Sequence, residues 1–110
     1  MANSSQLLKG ILEGCILKII SKKETYGYEL YSSLKASGFD DLSEGTLYPL
    51  LIRLEKNGLL SSISIDSPLG PKRKYYSLTE LGEHEFLDFC SSWDKISKSV
   101  NKILEDDLNG

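Results

Sequence analysis

Residues 43–57, SEGTLYPLLIRLEKN, followed by GLL at 58–60 and by PKRKYYSLTELG at 71–82, decide how this chain folds. Ser43 is placed to cap a helix: its hydroxyl can accept from an early backbone N–H, and Glu44 then sits in the positive first turn. Leu47, Leu50, Leu51 and Leu54 keep the i, i+3, i+4, i+7 spacing of one buried face. That leaves Gly45, Thr46, Tyr48, Ile52, Arg53 and Lys56 on the other faces. Pro49 is too deep for the first helical position, so the expectation is a distorted first turn or a regular helix that starts later. Gly58 ends the helix. Leu59 to Ile65 alternates, through Ile63 and Ile65, as a half-buried strand; Ser67-Pro68-Leu69-Gly70-Pro71 is a turn by composition; Lys74 to Leu78 is the returning strand. A helix, then a two-stranded wing with a basic tip, then a further helix is the order of a winged helix-turn-helix, mainly α with a small β-hairpin wing.

The flanking segments agree with that order. Leu7, Leu8, Ile11, Leu12, Cys15, Ile16, Ile19 and Ile20 recur in adjacent pairs every four residues, one wide apolar stripe of an amphipathic helix that ends near Lys22 or Lys23. A second helix spans roughly 26–36, opened by Tyr26-Gly27-Tyr28, with Leu30 and Leu34 inward and Ser37-Gly38 at its end. From Phe86 the apolar positions Phe86, Phe89, Trp93, Ile96, Val100 and Ile103 follow a 3, 4, 3, 4, 3 spacing, an a/d seam of two to three heptads. Thr79 can cap that helix, with Glu80 and Glu83 in its first turn. A seam needs a partner, and the economical one is a second copy of the chain, with helix 1 filling in through Leu8, Ile11 and Leu12. The chain is therefore expected to be one domain over 1–110, with a winged helix-turn-helix at 1–79 and a dimerisation helix at 80–108.

Composition narrows the function classes. A chain of 110 residues buries too modest a core to enclose a catalytic cleft easily. One histidine, His84, in an acidic helical turn, no Ser or Cys placed as a nucleophile and no Gly-rich phosphate loop leave no catalytic constellation, so neither enzymatic activity, metal nor cofactor is expected. Cys15 and Cys90 fall on apolar faces and read as reduced core residues. No leader-like start and no run of about 20 apolar residues point to the cytosol, without membrane contact. The net charge of −3 is unevenly spread: residues 1–42 are neutral, 43–77 carry +2 and 78–110 carry −5. Positive charge lies where the motif would meet DNA, and the acid is concentrated in the last helix.

LLKGILEGCILKII, YGYEL, LSEGTLYPLLIRLEKNGLL and GPKRKYYSLTELG, in this order and spacing across most of residues 7–82, resemble the PadR-like transcriptional regulators. The short last helix is similar to that of the compact subgroup, whose dimers form largely through this helix with helix 1. The resemblance implies a homodimeric regulator of double-stranded operator DNA, more often a repressor. Helix 3 is then the recognition helix, its N-terminal turn in the major groove. Gly45 would allow close backbone approach, and Ser43, Thr46 and above all Tyr48 would offer hydroxyls to phosphates or base edges. Arg53 and Lys56 either meet phosphates or are simply solvated; Lys72, Arg73 and Lys74 would follow the backbone from the wing; Tyr26 and Tyr28 either meet phosphates or pack. Tyr75 and Tyr76 point to opposite faces of their strand, with Tyr75 the outward one. Trp93, with Phe89 and Ile96, either fills a dimer core or walls a slot for a small planar aromatic effector, as in the family's multidrug sensors. Two other classes stay open: a winged-helix module that docks a protein without DNA, discriminated by the salt dependence of binding, and a chain that is primarily a small-molecule sensor, discriminated by Trp93→Ala.

Overall fold

The computed structural model describes the backbone of residues 4–109 and the side chains of 7–105. Its elements run α1 (Ser4–Lys22), β1 (Thr25–Tyr26), α2 (Gly27–Ala36), α3 (Glu44–Lys56), β2 (Leu60–Ser67), β3 (Gly70–Leu78) and α4 (Glu80–Asn109). The strands form one antiparallel sheet of order β1-β3-β2. This is the winged helix expected from the sequence.

Leucines and isoleucines at helical spacing build the core. Leu12, Ile16 and Ile20 of α1, Leu30 and Leu34 of α2, and Leu47, Leu51 and Leu54 of α3 close on Leu60 and Tyr76 of the sheet, all of them buried. Each such side chain contributes on the order of 1.5–3 kcal/mol relative to exposure. Leu12 is thus committed to its own domain with no accessible surface, and is not free to join an interface; Leu8 and Ile11 are half-buried.

The ends of α3 are set locally. Ser43 Oγ accepts from Thr46 N at 3.2 Å, and Gly58, at φ +80°, adopts the left-handed conformation that stops the helix. The regular helix nevertheless starts at Glu44 and continues through Pro49, so the late start read from the sequence is not seen. Burial of Leu47, Leu50 and Leu51 on both sides of the proline outweighs the one backbone hydrogen bond that proline removes.

The wing differs from expectation in three ways. β1 is an additional strand: Thr25 and Tyr26 pair with Tyr76 and Tyr75, so Tyr26 belongs to the sheet and precedes α2. Two residues have no periodicity to read; they are extended because the free edge of β3 supplies their hydrogen bonds. Second, Ser67 pairs with Gly70, so the turn shrinks to Pro68-Leu69 and β3 begins at Gly70. Lys72, Arg73 and Lys74 therefore lie along a strand and not in the tip, and the period of two sends Arg73 to the face opposite Lys72 and Lys74. Third, Ile63 and Ile65 are exposed, because the inner face of β2 is carried by Leu60 and Ser62.

Three contacts seat α4 against the rest. Thr79 Oγ1 donates to Gly58 O at 2.6 Å and accepts from Gly82 N at 3.0 Å, capping α4 while tying it to the end of α3. Gly82 faces the Leu59 carbonyl so closely that an ideal Cβ would lie 2.1 Å from that oxygen. The Phe89 ring lies over Gly14 of α1, 2.4 Å from where a Cβ would stand. Phe86 also packs on the core, under the Lys18 ammonium at 5.5 Å from the ring centroid. The first two seam positions are thus half-covered within the chain itself. Beyond them the helix projects, giving overall dimensions of 60 × 29 × 21 Å. Trp93, Ile96, Val100 and Ile103 stay 47–65 % exposed. Cys90 is exposed, contrary to the core position expected for it, because α1 covers only one side of α4; Cys15 is half-buried, and burial pushes its thiol pKa up. Asp106 and Asp107, part of the acidic tail, lie outside the residues whose side chains are described. No described helix is long and apolar enough to cross a membrane.

Candidate nucleic-acid interface

The buried stripe of α3 fixes what its other faces present. At 100° per residue, the line opposite Leu47, Leu50, Leu51 and Leu54 is Gly45, Pro49, Ile52 and Lys56, all exposed. Tyr48 and Glu55 lie on the flank toward the sheet, and Thr46 and Arg53 on the other flank.

Both flanks are engaged by neighbours. The Tyr48 ring rests on Gly27, where a Cβ would come within 2.6 Å of it, so the glycine of α2 sets the ring's position. Burial, and then the Glu44 carboxylate, pushes the Tyr48 phenol pKa up, which keeps its O–H protonated and able to donate. Glu55 accepts from Lys74 Nζ at 2.8 Å and from Ser62 Oγ at 2.5 Å, linking α3 to both wing strands. These bonds, that from Lys74 first, hold the Glu55 carboxyl below the usual carboxylate range, and the same bond raises the Lys74 ammonium. On the far flank, Arg53 pairs with Glu13 of α1, and Thr46 Oγ1 lies 3.1 Å from Ser43 Oγ. Arg53 and Lys74 therefore face carboxylates of their own chain, whereas Lys56 has no ion pair among the described residues.

Between α2, α3 and β3 lies an open cleft of about 550 Å³, lined by Tyr26, Gly27, Tyr28, Tyr48, Arg73, Lys74 and Tyr76. Sequence segments 50 residues apart thus meet in one place. The Arg73 guanidinium stacks 4.5 Å over the Tyr26 ring, which also packs on Tyr75 with centroids 5.3 Å apart. Of the two tyrosines opening this region, Tyr26 is the packed one and Tyr28 is exposed. Tyr76 is buried and Tyr75 is the outward neighbour, as the alternation of the strand predicts. Lys72, at the outer end, faces only Asp66 at 3.9 Å with both side chains mostly exposed, a pair of little energetic weight.

Sequence reading missed Glu55, which reorients Lys74, and Gly27, which seats Tyr48. It placed Ile52 off the buried face without giving it a role, and did not set Pro49 beside it; the buried stripe alone, projected through half a turn, puts both on the outward line.

Two clefts flank α4. One, about 510 Å³, lies between α1, α2 and α4 and is lined by Gly14, Cys15, Lys18, Phe86, Phe89 and Trp93 among others. The second, about 530 Å³, runs between Leu7, Gly10 and Ile11 of α1 and Phe89, Trp93, Ile96 and Val100 of α4. Phe89 and Trp93 line both, whereas Ile96 lines only the second.

The family model described as the transcriptional regulator PadR-like family matches residues 16–88. The crystal structure of a PadR-like transcriptional regulator from Bacillus cereus is 50 % identical, with a TM-score of 0.80, over 90 % of this chain and 96 % of that one. That of a PadR family transcriptional regulator from Eggerthella lenta is 34 % identical, also at a TM-score of 0.80, over 91 % and 87 % of the two chains. An uncharacterized protein of Lysinibacillus sphaericus is 30 % identical over 103 residues, covering 92 % of this chain and 94 % of its own. With that family model matched from α1 to α4 and a solved regulator identical at half its aligned positions, the chain belongs to the PadR-like family of transcriptional regulators.

Proposed function

We propose that the chain is a sequence-specific DNA-binding repressor that acts in the cytosol as a homodimer and is released by a small planar effector. The observation that carries this reading is the junction of α2, α3 and wing, where Tyr26, Tyr28, Tyr48 and Arg73 surround one cleft beside the exposed line of α3. Hydroxyl donors and a guanidinium in one concavity suit a phosphate of the DNA backbone, and the exposed α3 face suits the major groove. Ser43, Gly45 and Thr46 are the first-turn residues that would enter the groove; Lys56 and Lys72 would meet phosphates further out. The bare stretch of α4 supports the dimer, and the clefts beside Trp93 support an effector site. A planar ligand between α1 and α4 would shift the dimer's two recognition helices relative to half-sites ~34 Å apart, which is a route to derepression.

Fluorescence anisotropy of labelled duplex from the chain's own upstream region, titrated at several salt concentrations beside an unrelated duplex, tests the reading. The double variant Lys72→Glu, Arg73→Glu should bind every duplex more weakly, with a salt slope about two units shallower per subunit. A wild-type protein with no salt-sensitive affinity for any duplex would refute DNA binding and favour the protein-docking module.

Gly45 allows folding to be separated from contact. A Cβ there would meet nothing nearer than Ser43 Oγ at 3.8 Å, so the protein itself leaves room for a side chain. Gly45→Ala should hold or raise the thermal midpoint, gaining up to about 1 kcal/mol of helix propensity, while weakening operator binding on the order of ten-fold by holding the backbone off the DNA. Equal affinities for both proteins would mean that the backbone makes no close approach at this position.

A further inference from the structure

We infer that Ile52, with Pro49 beside it, forms an apolar ridge on the outward face of α3 that reads the 5-methyl groups of thymine in the major groove. The inference rests on the DNA-binding reading above and goes further, to the kind of base recognised and the side chain that recognises it.

It follows from what the face offers and what it lacks. The outward line Gly45, Pro49, Ile52, Lys56 contains no amide, guanidinium or carboxylate; its one hydrogen-bonding side chain is the Lys56 ammonium, a full turn beyond Ile52 at the C-terminal end of the helix. Elsewhere on the helix Arg53 is engaged with Glu13, and Glu55 with Lys74 and Ser62, while Glu44 stands off this line, on the sheet-side flank near Tyr48. In the centre of the line stands Ile52, 61 % exposed, with exposed Pro49 three residues before it on the same side. A single exposed isoleucine is ordinary. Here it is the central side chain of the surface that would enter the groove, and the thymine methyl is the one apolar group that base pairs present there. Along the helix, Pro49 and Ile52 are separated by about 4.5 Å, close to one base-pair rise of ~3.4 Å. The ridge therefore spans one or two neighbouring base pairs in each half-site, and its specificity is for thymine over cytosine and over uracil.

Uracil scanning tests this. Duplexes are selected from a randomised library with the wild-type protein, and each thymine of the selected site is then replaced singly by deoxyuridine, which removes the methyl and keeps every hydrogen-bonding group. Dissociation constants are measured at one salt concentration for wild type and for Ile52→Ala, whose exposed position predicts an unchanged thermal midpoint. The expected result is a three- to ten-fold loss for the wild type at one or two adjacent positions per half-site, a size set by burying about a methyl group and its surroundings. At those positions Ile52→Ala should bind the thymine and uracil duplexes equally. A flat uracil scan on a tightly bound site would overturn the inference while leaving DNA binding intact, as would an equal uracil penalty in the variant. A library that yields no preferred duplex would instead overturn the DNA-binding reading, and this inference with it.

Discussion

Aspartate at both Ile96 and Val100 should leave a folded chain of 12.3 kDa that no longer dimerises, and should lower operator affinity by about 100-fold or more. Ile96 and Val100 are 56 % and 47 % exposed in the single chain and touch none of its core, so the substitutions spare the fold. In a two-fold dimer the bare seam of Trp93, Ile96, Val100 and Ile103 meets its own copy. With about half of each side chain still to be covered, eight such residues contribute on the order of 10 kcal/mol, comparable with the cost of association. The double variant removes half of that and places four carboxylates at the contact, which settles the sign against association. Affinity falls because a dimer's second half-site binds at high effective concentration, whereas a monomer's does not. Light scattering coupled to size exclusion, with anisotropy on the same samples, checks both effects. A mass that remains that of a dimer would place the interface elsewhere.

Gly82→Ala should be the most damaging single methyl in the domain, costing about 2–3 kcal/mol and lowering the thermal midpoint by roughly 10 °C or more. The added Cβ would stand 2.1 Å from the Leu59 carbonyl oxygen and 2.8 Å from Leu78 Cδ1. The carbonyl cannot retreat cheaply, since it accepts from Thr79 N at 3.1 Å, and the Thr79 hydroxyl holds the adjoining Gly58 carbonyl at 2.6 Å. Relief therefore requires α4 to lift from the end of α3, breaking the Thr79 bridge that joins the two helices. Alanine's better helix propensity, about 1 kcal/mol, works in the other direction and is too small to compensate. Circular-dichroism melts would show it, and an unchanged midpoint would mean that α4 is not seated so closely. Gly45→Ala, on an open face of α3, is the matched control, because the same chemical change there meets no obstacle.

The folding pattern was legible because each helix carries a local signal. Ser43 with Glu44, the leucine spacing of α3 and the glycine at 58 required no knowledge of distant residues, and neither did Thr79 as the cap of α4. What escaped depends on contacts far apart in sequence. Arg53 looks free along the helix and is bound by Glu13, 40 residues earlier. Lys74 reads as part of a basic triplet and is claimed by Glu55. Ile63 and Ile65 read as the inner face of their strand and lie on the outer one, because pairing with β3 sets which side meets the helices.

By itself the sequence determined the winged-helix class and the element order, and it located both the segment bearing α3 and the apolar seam of the last helix. Those features follow from periodicity, caps and turns, whose physics acts within one or two turns of chain. Only the tertiary structure decided which charged side chains are already paired, and that Phe86 and Phe89 pack against their own domain while Trp93 onward stays bare. Those outcomes depend on which surfaces meet, and that is a property of the packed whole: a cation is neutralised, or an apolar face covered, only by a neighbour that the fold brings to it.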